Sequence, residues 1–315
     1  MESLKPLVSI VIPTFGRAEL LERAIISVIS QSYKNIEIII VDDNEPNSLS
    51  RRETKVIVSK YLKKHNIKYI QLDRNYGGAI ARNKGISQSN GNYICFLDDD
   101  DVYHEDKIKL QIEKFINSKE DLAVVGCFAN IVDDNGIKWI EKNEFKGNAF
   151  KKQLSSNICT TSIAMIKKEY LIKINGFSNI PSSQEHMLFL KIFSINPNYD
   201  YVEKILVDIY HHDGPRISTN KNKPLGAIEL HKYIMKYYKN LTVNEIKEIE
   251  KFQHINIAKS YLSINDKKNA KKYLKKFIKK YKVIDKDVVK IFVVSILGFE
   301  NLDKFRKYFA KLRFK

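Results

Sequence analysis

The chain has 315 residues and a mass of 36.7 kDa, with 43% apolar and 29% charged residues. That composition supports a buried core and excludes a disordered chain, and 12 Gly with 7 Pro exclude a collagen-like or Pro-rich one. The net charge of +17 is uneven: residues 226–315 hold 23 Lys+Arg against 9 Asp+Glu, a balance of +14, which points to an acidic partner for the tail such as anionic lipid, nucleic acid or a phosphorylated acceptor. Cys95, Cys127 and Cys159 are widely spaced and form no CxxC, which argues against a disulfide scaffold or a cysteine zinc site and fits a reducing cytosol. There is no 18-residue apolar run, so no membrane-spanning helix is expected, and the opening Met1–Pro13 reads as a first strand, not a signal peptide.

In chain order, Val8–Ile12 reads as a strand ending at Pro13. Leu20, Leu21, Ala24, Ile25 and Val28 then recur at helical spacing. Ile36–Val41 is a second strand, stopped by Asp42-Asp43-Asn44 and followed by a charged helical stretch to about His65. Ile67–Leu72 and Tyr93–Leu97 are further strands, with a small-residue helix over Gly77–Ser87 between them. Glu105–Phe115 is a helix and Leu122–Phe128 a strand. Asp133-Asp134-Asn135-Gly136 predicts a hairpin turn between Phe128–Val132 and Ile137–Ile140. Ser162–Ile166 and Ile205–Ile209 are strand-like, Gln184–Phe193 is helical, and from about Leu225 the chain is helical with Lys-rich faces. Within that tail, residues 257–274 resemble one helical-repeat hairpin. The alternation of strand and helix predicts an α/β domain with a mostly parallel sheet, and the boundary to the basic helical tail falls near residue 222. Ligands of such sheets sit beyond the carboxyl ends of the strands, which here are polar and acidic: Pro13-Thr14-Phe15, Asp42-Asp43-Asn44, Asp73-Arg74-Asn75 and Asp98–Asp101.

The sharpest signal is Asp98-Asp99-Asp100-Asp101 directly after a strand. Four consecutive carboxylates repel one another, and a cation would offset the charge. Hard ions such as Mg²⁺ or Mn²⁺ take carboxylate oxygens and leave sites for phosphate, so an Asp-x-Asp at a sheet rim reads as a seat for a metal and a diphosphate. The competing reading is a solvated acidic loop.

Taken with its neighbours, this run resembles a known family. Val8-Ser9-Ile10-Val11-Ile12-Pro13-Thr14-Phe15-Gly16-Arg17, Ser30-Gln31-Ser32-Tyr33, Glu37–Asp43, Asn75-Tyr76-Gly77-Gly78-Ala79 with Ala81-Arg82-Asn83-Lys84-Gly85, and Gly91–Asp101 stand in the order found in family 2 glycosyltransferases of GT-A fold. The family usually has Tyr-Asn where this chain has Phe15-Gly16. The resemblance covers about residues 6–220. It implies a GT-A, Rossmann-like nucleotide-diphospho-sugar transferase fold over residues 1–222. Residues 223–315 follow as a basic helical domain for acceptor, membrane-surface or oligomer contact.

The resemblance also implies roles. Pro13, Thr14, Phe15 and Arg17 border the nucleotide; Asp42 accepts a hydrogen bond from base or ribose. Asn75 and Gly78, beside Gly77, let backbone approach the nucleotide. Arg82 balances the diphosphate or orders the acidic loop. Asp98 and Asp99 face the ribose side and Asp100 binds the metal, Mn²⁺ or Mg²⁺, while Asp101 is read as a cap of the next helix. The family carries an acidic pair before an apolar helix; here Gln184 replaces the first acid, so Glu185 is the candidate base and His186 an acceptor contact or a packed residue. In Tyr210-His211-His212-Asp213, followed by Arg216, His212 is the preferred additional metal or phosphate ligand. Without the resemblance Glu185 would read as an acid favoured at a helix start, Arg82 as a surface charge and the histidines as a turn.

The expected function is then a metal-dependent, inverting transfer of sugar from a UDP-sugar to a hydroxyl of a glycan or lipid-linked acceptor, as in surface polysaccharide, lipooligosaccharide or teichoic-acid-type synthesis. The expected location is cytoplasmic, with the paired lysines of 271–280 and the aromatic residues among basic ones in 299–313 either lying on an anionic membrane or forming the solvated face of a bundle. The alternative is a catalytically disabled nucleotide-sugar-binding or scaffold protein, for which Gln184 speaks. Nucleic-acid binding by the tail is disfavoured, though it has a test in salt-sensitive affinity. An oligomer is compatible with the sequence. A dinucleotide dehydrogenase is disfavoured because no GxGxxG follows the first strand.

Overall fold

The computed structural model describes residues 5–210 and 221–297. It divides into two units. The first comprises residues 1–153, 157–179 and 184–213 and the second residues 154–156, 180–183 and 214–315, so two short earlier segments join the tail, which a single cut near residue 222 does not convey.

The first unit is built on a ten-stranded sheet. β1 (Val8–Thr14) lies parallel between β2 (Ile36–Asp42) and β4 (Tyr93–Phe96), and β3 (Ile67–Gln71) extends the sheet beyond β2. The chain therefore runs outward from β1 to β3 and returns to the other side of β1 for β4, which makes the carboxyl ends of β1 and β4 the topological switch point of the sheet. The β-branched run of β1 is almost wholly buried, as strands covered on both faces require. Its cover comes from α1 (Ala18–Ile29), α2 (Leu49–Leu62) and α3 (Gly78–Gln88). Gly85 of α3 sits so close to Val11 that a Cβ would fall 2.2 Å from its Cγ1, and this brings the helix down onto the sheet.

The other half of the sheet departs from the parallel expectation. β6 (Val124–Asp133) pairs in parallel with β10 (Asn198–Tyr210), but β9 (Met165–Lys167) is inserted antiparallel between β4 and β6. The two strand segments expected on either side of Phe128 are one strand, β6. Its hairpin to β7 (Gly136–Glu141) turns at Asp133–Gly136, with Gly136 at φ 102°. The short strands β5 (Val102–Tyr103) and β8 (Gly147–Asn148) both pair antiparallel with β10. The remaining helices are α4 (Lys107–Asn117), α5 (Phe150–Ser155), α6 (Lys168–Lys173) and α7 (Gln184–Phe193).

The second unit contains α8 (Lys223–Met235), α9 (Val243–Leu262), α10 (Lys267–Tyr281) and α11 (Lys286–Leu297). Thr242 and Glu245 form a reciprocal capping box that starts α9, and Asp266 caps α10 through Asn269 N–H at 2.9 Å. Ala258, Leu262, Ala270, Leu274, Phe277, Val288 and Ile291 form its core. The paired lysines of α10 lie away from its buried Ala270, Leu274 and Phe277. Among the described residues no helix is long and apolar enough to cross a membrane.

Candidate active site

The acidic run starts where β4 ends. Leu97 is buried and its N–H still bonds Val11 O at 3.0 Å, so the sheet register holds for one more residue and delivers Asp98 beside the end of β1. A turn closed by Asp101 N–H to Asp98 O at 3.0 Å then gathers the side chains, and one oxygen each of Asp98, Asp100 and Asp101 lie within 4.8 Å of one another.

Three arginines grip this turn. Arg17, from the loop after β1, places Nη2 2.7 Å from Asp99 Oδ1 and Nη1 2.5 Å from Asp100 Oδ2. Arg82 on α3 pairs with Asp98 Oδ1 at 2.5 Å. Arg23 on α1 donates to the Asp100 carbonyl at 2.6 Å and stacks 3.7 Å from the centre of the Tyr210 ring. Asp101 takes neutral donors instead: Ser162 Oγ at 2.6 Å and the Tyr210 N–H at 3.1 Å. It is thus not the helix cap expected from the sequence, because α4 begins only at Lys107 and the buried Asp101 carboxylate turns inward to tie the acidic turn to β10.

The charges do not balance. Burial pushes the Asp99 carboxyl up to about 7 even though Arg17 opposes the shift. Burial, and then the charges of Asp98 and Asp100, raise Asp101 well above the ordinary carboxylate range. Among the described residues Arg17 and Arg82 form the ion pairs of this run and Arg23 adds a guanidinium at the Asp100 carbonyl, so four carboxylates face three guanidinium groups. Converging hard oxygens with surplus negative charge are a donor set that fits Mg²⁺ or Mn²⁺.

Glu185 joins this cluster from the first turn of α7. Its Oε1 accepts from the Thr161 N–H at 2.7 Å and from the Thr161 hydroxyl. Burial and then the Asp98 charge raise its pKa, while Thr161 and Arg82 pull the other way. Arg82 therefore acts on both Asp98 and Glu185, and the base candidate and the acidic turn share one electrostatic environment. Asn83, beside Arg82, holds the Gly176–Phe177 turn through both amide atoms, at 2.9 Å to Phe177 O and 2.8 Å from Phe177 N–H. Gly176 has φ 62°, and a Cβ there would meet Asn83 Oδ1. Phe177 in turn packs edge-on against Phe96 at 5.2 Å, next to the acidic turn.

The other sequence candidates divide into rim and interior positions. Phe15 is half exposed, its N–H reaching Asp99 Oδ2 at 3.3 Å; Pro13 is partly exposed, and Thr14 is buried. Asn75 is exposed, its N–H 3.2 Å from Glu45 Oε1, and Gly78 opens α3 after Gly77 at φ 86°. Asp99 is fully buried behind Phe15 and Arg17. Asp42 is fully buried too: it accepts from Tyr69 Oη at 2.5 Å and Asn44 Nδ2 at 2.8 Å and faces Arg51 Nε at 3.2 Å. Asp43 is the residue that shapes the next loop, accepting the Tyr76 and Gly77 N–H groups at 2.8 Å each. His186 is packed, not an acceptor contact; its Nε2 lies 2.6 Å from Gln153 O, and burial pushes the imidazole down to about 4. His212, with His211 and Arg216, lies outside the described residues. Sequence reasoning missed Arg23, Asp43, Arg51, Thr161 and Ser162. Asp43 had a signal, as the second acid at a strand end, while the others act through tertiary contacts.

Known proteins are similar to this chain in sequence and in fold. The profile of glycosyl transferase family 2 matches residues 9–174. The poly(ribitol-phosphate) β-N-acetylglucosaminyltransferase TarP of Staphylococcus aureus is 32% identical over 254 residues, covering 74% of this chain and 74% of TarP. Against two Rickettsia proteins described as uncharacterised glycosyltransferases, each 30% identical, the chain spans only 37% of their length. Among solved structures, S. aureus TarS in complex with UDP-GlcNAc superposes with a TM-score of 0.61 at 15% identity, over 93% of this chain and 91% of that one. The mannosyltransferase PcManGT of Pyrobaculum calidifontis, in complex with GDP-Man and Mn²⁺, does so with a TM-score of 0.60 at 13% identity, over 93% and 85%. The fold is accordingly GT-A, with its acidic turn at the end of β4 and Glu185 in the first turn of α7, and the chain belongs to glycosyl transferase family 2.

Proposed function

We propose that this chain is an inverting, metal-dependent glycosyltransferase that moves a sugar from a UDP-sugar to a hydroxyl of a glycan or lipid-linked acceptor in surface polysaccharide or teichoic-acid-type synthesis. The observation that carries the reading is the single constellation of Asp98, Arg82 and Glu185 beside the Arg17-bound Asp99 and Asp100. The UDP donor is inferred from TarS, described with UDP-GlcNAc, and the acceptor class from TarP, whose name gives poly(ribitol-phosphate). The surplus of +14 in residues 226–315 suits a polyanionic acceptor or an anionic membrane surface.

In this reading Asp98 and Asp100, with His212 as a further candidate, would hold Mn²⁺ or Mg²⁺, which supplies charge neutralisation for the departing diphosphate. Arg17 is positioned to exchange its carboxylate partners for phosphate oxygens, for which a guanidinium fork is suited. Glu185 takes the proton of the acceptor hydroxyl. The freed oxygen pair forms the bond to the anomeric carbon, and the bond from that carbon to the diphosphate breaks on the opposite side. A single base with direct displacement inverts the anomeric centre.

The test is a donor screen by release of nucleoside diphosphate with Mn²⁺ present, followed by Glu185→Gln. Transfer with UDP-sugars that is lost in Glu185→Gln while UDP still binds supports the assignment. UDP binding with no turnover for any donor would favour the second reading, a disabled binding protein, for which Gln184 in place of the family's acid speaks.

A further inference from the structure

The second unit holds a cluster of metal-binding chemistry that the reaction does not use. Glu250 and His254 are one turn apart on α9 and so share a face, and His231 meets them from α8. Glu250 is 2% exposed and His254 3%. The two imidazoles flank the two oxygens of one carboxylate: His231 Nε2 lies 3.5 Å from Glu250 Oε1 and His254 Nδ1 lies 3.1 Å from Oε2. One donor atom from each of the three residues falls within 4.8 Å of the others. Around a tetrahedral zinc with bonds of about 2.0–2.2 Å, donors stand about 3.3–3.5 Å apart, close to the 3.5 and 3.1 Å between the Glu250 oxygens and the two imidazoles. The Tyr238 hydroxyl, 3.4 Å from His231 Nε2, is a fourth polar group at the same spot.

We propose that His231, Glu250 and His254 form a site for a divalent transition metal of the zinc class, which staples α8 to α9. Two imidazoles with one carboxylate select such an ion over Mg²⁺ or Ca²⁺, which favour oxygen alone. The proposal is independent of the glycosyltransferase reading. His254 Nδ1 lies 2.8 Å from Glu250 O, and Lys280 Nζ lies 3.7 Å from Glu250 Oε1. The Lys280 side chain is 57% exposed and can swing away, and the imidazole proton must leave, so metal affinity rises with pH.

The experiment titrates the full chain, stripped with a chelator, with Co²⁺ and reads its visible absorption, then competes the Co²⁺ with Zn²⁺. One equivalent of Co²⁺ with the intense bands of four-coordinate, nitrogen-bearing ligation is expected. His254→Ala and the milder, partly exposed His231→Gln should each weaken it by at least the roughly 10–100-fold that even an outer-shell partner is worth. Lys280→Ala should tighten it, and Asp100→Asn, a change in the acidic turn of the first unit, should leave it intact. The proposal is overturned by absence of the bands, by bands that survive His231→Gln, or by bands that vanish in Asp100→Asn.

Discussion

Two clusters of this protein hold buried carboxyls that burial alone would raise, yet their partners take them in opposite directions. Among the described residues the carboxylates of the acidic turn outnumber its guanidinium groups, and burial with mutual repulsion leaves Asp101 raised and Asp99 at about 7. In the helical unit a single carboxylate, Glu250, is flanked by His231 and His254, and its pKa falls. Asp99, Asp101 and Glu250 are all buried, so depth alone does not decide the outcome; the ratio of acid to base does. A surplus of acid is unfavourable to the fold by itself and useful to a cation or to chemistry. A matched cluster is favourable to the fold.

The largest expected effect tests the functional half of that contrast. Glu185→Gln should lower kcat by about 10²–10⁴-fold, the usual worth of a positioned base, while calorimetry still detects UDP binding. Unchanged kcat would remove Glu185 from the base role. The next effect tests the structural half. Glu250→Gln in chelator-treated protein leaves two histidines without their carboxylate and should destabilise the fold by about 3–5 kcal/mol, the range for breaking one side of a buried pair. Asp101→Asn should do the reverse, raising the midpoint of thermal unfolding at neutral pH, because the amide can still serve Ser162 and Tyr210 without the charge. The pH dependences should also have opposite signs. Glu250, with its folded pKa depressed, gives stability that is present above the ordinary glutamate range and lost as pH falls through its folded value. Asp101, with its folded pKa raised, favours the fold at acid pH and loses that contribution as pH rises. If both variants destabilise alike, the contrast between the clusters is wrong.

Much of this was legible in the sequence because strand ends announce themselves. An apolar run stopped by polar residues located the rims of β1, β2 and β4, and Asp98–Asp101, Arg82 and Glu185 followed from those rims and the family pattern. What the sequence did not carry was the partner of each charge. Asp42 looks like a ligand contact, yet its neighbours Tyr69 and Arg51 come from β3 and α2 and enclose it. Asp101 looks like a helix cap until Ser162, far along the chain, is found against it. The antiparallel β9 is three residues long and too short for periodicity to give its direction. The same holds in the tail, where helical spacing puts Glu250 and His254 on one face but is silent about His231.

Glu185 stands between the two regimes, and its position can be tuned with a small change. Asp98 raises its pKa and Thr161 lowers it, through an N–H and a hydroxyl on the same oxygen. In the proposed base role Glu185 works only when ionised, so kcat/KM should rise with pH along an acid limb set by Glu185 in the free enzyme. Thr161→Val removes the hydroxyl donor and keeps the backbone one, which withdraws support from the charged form. The limb should therefore move to higher pH, with the plateau above it changed by less than about tenfold, since one hydrogen bond to a charged group is worth roughly 1.5–3 kcal/mol and only part of it is lost when the N–H remains. Thr161→Ser should restore the limb. A limb that stays in place in Thr161→Val, or a plateau that falls as far as in Glu185→Gln, would mean that Thr161 holds the backbone in shape and does not set the charge of Glu185.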